Sequence, residues 1–306
     1  MRDSRAADTR MVSSLADAQQ LIQGFLERSG KGAWPSLERR VVGSRLRELV
    51  ANPRLFQQGA LNLCGPATFL CMWTGRDPVG FARFAITLFE EGSAPIGSLS
   101  VAPTSALLQQ DYAAMRERMQ SDPCPQADWM TMGAIRNNND ALFVWTGEPG
   151  QGLPGLTLPE ELASWLQATG IYNQVKNEAN WASIAGWPHA SDLLLYGGQD
   201  VALLLNTNAF IGGTARALRN SNAPGSAPAP PPTENPITPD DRFILNQFPN
   251  HYVMLLNSPT TNYDPGDSER GSAWLSIWTW SRSLSYEVPV RAFVDNYYGA
   301  VIATLP

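Results

Sequence analysis

The chain has few of the side chains that most often perform nucleophilic and acid–base chemistry. Its 306 residues include three cysteines and two histidines. An imidazole base must therefore be His189 or His251. The odd number of cysteines, which are Cys64, Cys71 and Cys124, favours a reducing compartment over a disulfide framework. On one helix the first two would lie about 10 Å apart, too far for a disulfide bond.

An excess of basic side chains is also missing, since the net charge is −6. Nucleic-acid binding needs clustered lysine and arginine, so we expect no nucleic-acid partner. The nearest basic cluster, Arg39, Arg40, Arg45 and Arg47, alternates with aliphatic residues and is interpreted as the solvated side of an amphipathic helix.

Long apolar runs are absent as well. No segment reaches the ~18 apolar residues of a membrane span, so no membrane partner is expected. The first twenty residues lack the pattern of a signal peptide. We therefore expect a cytoplasmic protein, or one secreted without a signal peptide by a specialised secretion system.

Motifs for bound ions and cofactors are missing too. No spacing of histidine, cysteine and carboxylate residues indicates a metal site. Glycine-rich phosphate loops are absent, and the pairs Gly197-Gly198 and Gly212-Gly213 are typical of plain turns. The sequence therefore predicts neither a cofactor nor a metal.

The apolar pattern changes type along the chain, from helical spacing to strand-like runs. Helices are predicted over residues 15–28, 35–50, 66–73, 79–91, 105–119 and 158–169, and the segment 127–139 is interpreted as a short helix followed by a polar loop at 136–140. Strands are predicted over residues 200–205, 252–256, 273–280 and 300–305. A helical N-terminal half followed by a C-terminal antiparallel sheet indicates the α+β class.

The most informative motif surrounds Cys64, in the segment QGALNLCGPA that begins at Gln58. Proline suits the first turn of a helix, so Pro66 places the thiol at a helix start, where the positive helix end stabilises a thiolate. The side-chain amide of Gln58 and the backbone N–H of Cys64 are candidate donors to an oxyanion. Gly59 and Gly65 allow close approach of the backbone.

His251 stands at the start of an apolar strand, and a thiol on a helix with an imidazole on a strand is the arrangement of a cysteine hydrolase. Two plainer interpretations stay open: Cys64 as an ordinary buried cysteine, and His251 as a satisfied strand-end histidine. His189 is interpreted as a surface or helix-capping histidine. Cys71 and Cys124 are interpreted as structural.

These motifs resemble those of the papain-like cysteine peptidase superfamily, and the form Cys-Gly-Pro-Ala resembles its bacterial effector and toxin-like members. In that superfamily Gln-Gly precedes the nucleophile at this spacing, and a later strand carries the histidine. The resemblance implies a papain-like fold, with Cys64 as nucleophile, His251 as general base and Gln58 at the oxyanion. It also implies that Trp280, in the segment 276–281, shields the histidine.

The third catalytic member departs from the family pattern, because Trp278 occupies the place of the usual asparagine. If Trp278 is the shield instead, Ser276 takes that place. Asp264 falls in a turn, roughly 20 Å from His251 along a strand of about six residues. The orienting group is therefore expected from Ser276, Thr279, Ser281 or a backbone carbonyl.

The resemblance thus implies hydrolysis of a peptide or amide bond through a Cys64 acyl-enzyme. A protein or peptide substrate is expected, with an inhibitor or immunity protein as a further partner. The alternatives are an amide or acyl transferase, a deamidase, and a catalytically inactive partner-binding module. The predicted domains are a helical extension at 1–50 and a catalytic domain at 51–306, with a proline-rich loop insertion at 221–241 near the cleft.

Overall fold

The structure, a computed structural model, divides into two compact units. They comprise Met1–Gly155 with Trp165–Ile171, and Leu156–Ser164 with Tyr172–Pro306. The described residues are 3–119, 122–138, 145–149, 156–186, 190, 192–193, 198–207, 209, 216–218, 248–262 and 271–306. Several subjects of prediction lie wholly or partly outside them: His189, Asp264, the segment 221–241 and the glycine pairs at 197–198 and 212–213. Helices and an antiparallel sheet are both present, which confirms the α+β class.

The first unit is mainly helical. Its helices, in chain order, are α1 (Asp3–Leu26), α2 (Arg39–Ala51), a 3-10 turn (Pro53–Leu55), α3 (Cys64–Arg76), α4 (Pro78–Glu91), α5 (Ser105–Leu108), α6 (Tyr112–Arg118) and α7 (Gln126–Asn138). A short antiparallel hairpin joins β1 (Ala94–Ile96) to β2 (Leu99–Val101). The residues of α8 (Pro159–Ala168) are shared between the two units. None of the described helices combines the length and apolar character that crossing a membrane requires.

Helix boundaries in this unit follow from capping side chains. The single helix predicted over 105–119 is two helices, because the Asp111 carboxylate accepts hydrogen bonds from the N–H groups of Ala113 and Ala114 and starts α6. Helix α4 begins with Asp77 as its N-cap and ends at Gly92, which adopts the left-handed conformation with φ 78°. Ten consecutive residues of α3, 65–74, are buried, as its apolar sequence predicted.

Two of the four arginines predicted on a solvated face are instead largely buried, so that interpretation was wrong for them. The Arg39 side chain is 9% exposed, pairs with Glu90 and lies 4.7 Å from the ring centre of Phe25. The Arg45 side chain is 15% exposed and pairs with the fully buried Asp128. Their aliphatic neighbours bury the helix face, and the guanidinium groups reach carboxylates on other helices.

Helix α2 also begins later than predicted, at Arg39 rather than at residue 35. The Ser36 hydroxyl donates a hydrogen bond to the carbonyl oxygen of Gln110, which keeps the preceding residues in a turn. The predicted boundary at residue 50 does not coincide with a boundary between the units. Helix α2 packs against α1, α4 and α7 of the same unit, which also contains Cys64.

The second unit is built on an antiparallel sheet of eight described strands. In order across the sheet they run β3-β10-β4-β6-β8-β9-β5, and β7 pairs with β8. The strands are β3 (Gln174–Asn177), β4 (Asp200–Leu205), β5 (Arg216–Leu218), β6 (His251–Leu255), β7 (Thr260–Thr261), β8 (Ser272–Thr279), β9 (Arg282–Pro289) and β10 (Tyr297–Thr304), with the short helix α9 (Val290–Val294) before the last. All four predicted strands are present, whereas β3, β5, β7 and β9 were not predicted.

One face of the sheet carries the apolar core of this unit. Side chains alternate along a strand, so Val253 and Leu255 of β6 point to the same face. Both belong to a buried cluster with Leu203 and Leu205 of β4 and Ile277 of β8. The end of this face is where the histidine lies.

Candidate active site

Cys64 is the first residue of α3 and is partly exposed, whereas the ten residues after it are buried. Leu63 caps the helix through its carbonyl oxygen, which accepts a hydrogen bond from the N–H of Ala67 at 2.9 Å. The N–H groups in the first turn of a helix have no intrahelical acceptor, and no acidic residue occupies this turn. The thiol therefore stands at a positive helix end, as predicted.

The loop before the cysteine is held by close backbone contact. Gly59 adopts φ +59°, and a Cβ atom there would lie 2.5 Å from the carbonyl oxygen of Asp122. The neighbouring N–H of Ala60 donates to that same oxygen at 3.0 Å. Only glycine fits both the conformation and the space, which confirms the predicted close approach at Gly59. The predicted oxyanion donor, Gln58, is half-buried.

The other two cysteines are buried, which agrees with their interpretation as structural. Cys71 is 3% exposed and Cys124 is fully buried. The Cys124 thiol donates to the carbonyl oxygen of Gln57 at 3.1 Å, and burial raises its pKa well above the ordinary value. None of the three cysteines forms a disulfide bond. Cys64 is thus the one cysteine of the three that is not buried.

His251 is the first residue of β6 and lies beside Leu205 in the strand register. It points to the same face as Val253 and Leu255, so the apolar cluster continues up to the ring. Only 7% of the residue is exposed, and this burial lowers the pKa of the imidazole to about 3. The ring is therefore neutral at pH 7.

Thr279 is the hydrogen-bond partner of His251, through its hydroxyl oxygen and the imidazole Nε2. This selects Thr279 from the candidates for the orienting group. Ser276, the other candidate on β8, pairs its hydroxyl with that of Ser285 on β9 at 2.8 Å. Among the described residues none bonds to Nδ1 of His251, which leaves that nitrogen for a proton donor.

The indole of Trp280 covers the imidazole, as the resemblance implied. The two rings stack with their centres 4.6 Å apart and an angle of 14° between their planes. Trp280 is not in the strand, however, which corrects its predicted position. Thr279 pairs with Arg282, so Trp280 and Ser281 form a two-residue hairpin turn.

Both turn residues have positive φ, 47° for Trp280 and 60° for Ser281. This is the backbone of a type I′ turn, which normally contains asparagine or glycine. A large side chain in that conformation is unfavourable by roughly 1–2 kcal/mol. The eight residue pairs between β8 and β9 hold the turn in place, and the turn directs the indole over the histidine.

Asn250 fixes the backbone that leads into His251, a role that the sequence did not reveal. Its side chain donates to the hydroxyl of Thr207 at 3.2 Å and accepts from the N–H of Thr207 at 2.9 Å. Asn206 donates its side-chain amide to the carbonyl oxygen of Phe248 at 2.9 Å. These bonds tie the end of β4 to the start of β6, so the backbone position of His251 is fixed.

Gln58 and Cys64 belong to the first unit, and His251 belongs to the second, together with Thr279 and Trp280. The pairing of Cys64 with His251 stays a prediction. In the described part of the chain, no three His, Cys, Asp or Glu side chains form a group that would hold a metal ion. Comparisons with protein-family models, curated proteins and solved structures find no match to this chain.

Proposed function

We propose that the chain is a papain-like cysteine hydrolase that cleaves a peptide or amide bond. The thiol of Cys64 transfers its proton to Nδ1 of His251, and the sulfur attacks the carbonyl carbon of the substrate. The backbone N–H of Cys64 and the side-chain amide of Gln58 donate to the oxyanion. The imidazolium protonates the leaving amine, and the neutral ring then activates the water that hydrolyses the thioester.

The observation that carries the proposal is the environment of His251. A buried histidine with a purely structural role usually has both ring nitrogens paired, because an unpaired buried polar atom is unfavourable. Here Thr279 engages Nε2 and the Trp280 ring lies against the imidazole. A base with one nitrogen fixed and the other left for a proton donor is the form that general-base catalysis uses. The partly exposed Cys64 at the start of α3 supplies a matching nucleophile.

The pKa of about 3 results from burial alone, since among the described residues no anion near the ring raises it again. Such a ring is a weak base, and efficient proton transfer needs a pKa nearer to the working pH. A thiolate beside Nδ1 favours the imidazolium and raises that pKa. The proposal therefore requires the pKa of His251 to depend on the side chain at position 64.

The partners proposed for this activity are a protein or peptide substrate and an inhibitor or immunity protein. The resemblance to effector and toxin-like members supports a role as a secreted bacterial effector. Transfer to an amine, deamidation of a side chain and partner binding without catalysis are the competing functions, and the experiments below separate them.

Alkylation by iodoacetamide tests the nucleophile. An ordinary thiol reacts roughly a few hundred times more slowly at pH 6 than at pH 9, because little thiolate is present at the lower pH. We expect Cys64 to react at comparable rates at the two values. Cys64→Ser is the matched control, since it leaves only the buried Cys71 and Cys124. An ordinary pH dependence at Cys64 would leave the inactive binding module as the better proposal.

Digestion of a peptide library derived from a proteome tests the reaction. Mass spectrometry should find new peptide termini with the wild-type chain and none with Cys64→Ala or His251→Gln. Glutamine converted to glutamate would indicate a deamidase. Products joined to an added primary amine would indicate a transferase. Termini that persist in Cys64→Ala would refute the proposed nucleophile.

A further inference from the structure

We propose that the buried ion pair of Arg45 and Asp128 is a positioning device for the oxyanion loop, which we define as residues 57–63. This inference rests on the proposed function, because it assigns Gln58 and Cys64 their catalytic roles. Neither charged residue touches the reacting atoms, so both act through the loop backbone.

The pair is joined by two hydrogen bonds and is almost completely buried. The Arg45 guanidinium donates through Nε to one Asp128 oxygen at 2.8 Å and through Nη2 to the other at 3.1 Å. The aspartate side chain has no exposed surface and the arginine side chain is 15% exposed. Two parallel bonds from a planar guanidinium fix the orientation of the carboxylate as well as its position.

The same carboxylate holds the first residue of the loop. Oδ1 of Asp128 accepts a hydrogen bond from the backbone N–H of Gln57 at 2.7 Å. A backbone N–H bound to a carboxylate is held roughly twice as strongly as one bound to a neutral acceptor. The residue held in this way immediately precedes Gln58.

Other bonds fix Gln57 from its remaining sides. Its carbonyl oxygen accepts from the Cys124 thiol at 3.1 Å, and its side-chain amide donates to Asp122 at 3.2 Å and to Pro123 at 3.3 Å. The backbone N–H, the carbonyl oxygen and the side-chain amide of Gln57 therefore all bond to the segment 122–128. The side chain of the next residue is left without a hydrogen-bond partner among the described residues, as an oxyanion donor requires.

Stability alone does not explain an ion pair at this place. Burial raises the pKa of the Asp128 carboxyl, and the Arg45 guanidinium opposes that rise. Apolar residues of similar volume usually serve a core as well as a buried ion pair or better. What apolar residues cannot supply is a charged acceptor for the loop backbone.

The chain offers a control in a second ion pair whose arginine is largely buried. Arg39 and Glu90 form an ion pair in the same unit, with the arginine side chain 9% exposed. The carboxylate of Glu90 accepts hydrogen bonds from Arg28 and Arg39, and none of the described hydrogen bonds joins it to the oxyanion loop. Glu90→Gln therefore removes the charge of an ion pair in the same unit without touching the loop.

The test compares Asp128→Asn and the double variant Arg45→Met/Asp128→Leu with Glu90→Gln. Asp128→Asn leaves the Arg45 charge buried without its partner and could unfold the chain. The double variant replaces both charges by apolar side chains, so it keeps the test valid in that case. Hydrogen exchange measured on peptides that cover residues 56–63 reports the loop without any need for activity. We expect exchange to accelerate at least tenfold in the first two variants and to stay unchanged in Glu90→Gln.

Kinetics then separate positioning from general damage. The kcat of the Asp128 variants should fall by up to about 10²-fold, the loss expected when an oxyanion donor is removed. Adding Gln58→Ala should lower kcat little further, since both changes disable the same donor. Unchanged exchange, or losses that multiply with Gln58→Ala, would overturn the inference. Failure of the proposed function is recognised separately, by turnover that is insensitive to Cys64→Ala.

Discussion

Burial of a neutral histidine makes the stability of the fold depend on pH in a calculable way. The perturbation is His251→Gln, made in a Cys64→Ala background so that no thiolate contributes. In the unfolded chain the pKa of histidine is about 6.5, and in the fold it is about 3. Between these values the unfolded chain binds a proton that the folded chain does not. The free energy of unfolding therefore decreases as the pH falls through this window.

The magnitude follows from the two pKa values. Between pH 8 and pH 5 the proton taken up by the unfolded chain should lower the stability by about 2 kcal/mol. The folded imidazole stays neutral throughout, because pH 5 is still well above 3. Ending at pH 5 also avoids most of the titration of ordinary carboxylates.

Urea unfolding at pH 8, 7, 6 and 5 measures this directly, with tryptophan fluorescence as the signal. The quantity of interest is the difference in stability between Cys64→Ala and Cys64→Ala/His251→Gln. Contributions from His189 and from every carboxylate appear in both chains and cancel. The difference should shrink by about 2 kcal/mol from pH 8 to pH 5. A difference that does not change with pH would refute the argument that burial holds the ring neutral.

Three further perturbations test single contacts. Thr279→Val should lower the free energy of unfolding by roughly 1–3 kcal/mol, because it leaves a buried ring nitrogen unpaired; Thr279→Ser should restore both stability and turnover, and equal losses in the two variants would contradict the hydrogen bond. Gly59→Ala should lower the free energy of unfolding by more than ~1 kcal/mol, because the added Cβ would meet backbone atoms. Gly24→Ala, within α1, should raise it slightly, because an added Cβ there meets no neighbouring atom. Trp280→Gly should raise the pKa of His251 towards its ordinary value by admitting water, as an NMR titration would show; an unchanged value would mean that the indole does not shield the ring.

The sequence predicted the elements that follow simple rules. Helix α4 lies between a capping aspartate and a left-handed glycine, and both are readable signals. Strand β4 was predicted with its observed boundaries because its residues 201–205 are an uninterrupted apolar run. The thiol at the start of α3 was predicted from Pro66 and the apolar run that follows.

The features that escaped prediction depend on contacts between distant segments or on unusual conformations. Asp128 lies 83 residues from Arg45 in sequence, and neither residue signals the pair locally. The turn at Trp280-Ser281 carries no asparagine or glycine, so its sequence continued the strand pattern and concealed β9. The hydroxyl of Thr279 was one candidate among several until the register of β8 was known.

Thr279 and Trp280 hold the ring of His251 in the second unit, and Asp128 holds the backbone of Gln57 in the first. Each arrangement contains a conformation or a buried charge that is unfavourable by itself. The left-handed backbone of Trp280 persists because β8 and β9 pair along their whole length, so the surrounding structure determines a conformation that tryptophan would not choose. The buried carboxylate of Asp128 persists because Arg45 and the N–H of Gln57 bind it. Strained and charged groups of this kind are typical of functional sites, where geometry is selected over stability. The indole of Trp280 covers the ring of His251 and the carboxylate of Asp128 holds the residue before Gln58. This placement beside the proposed catalytic residues is the physical reason for preferring a catalytic interpretation of Cys64 and His251 to a structural one.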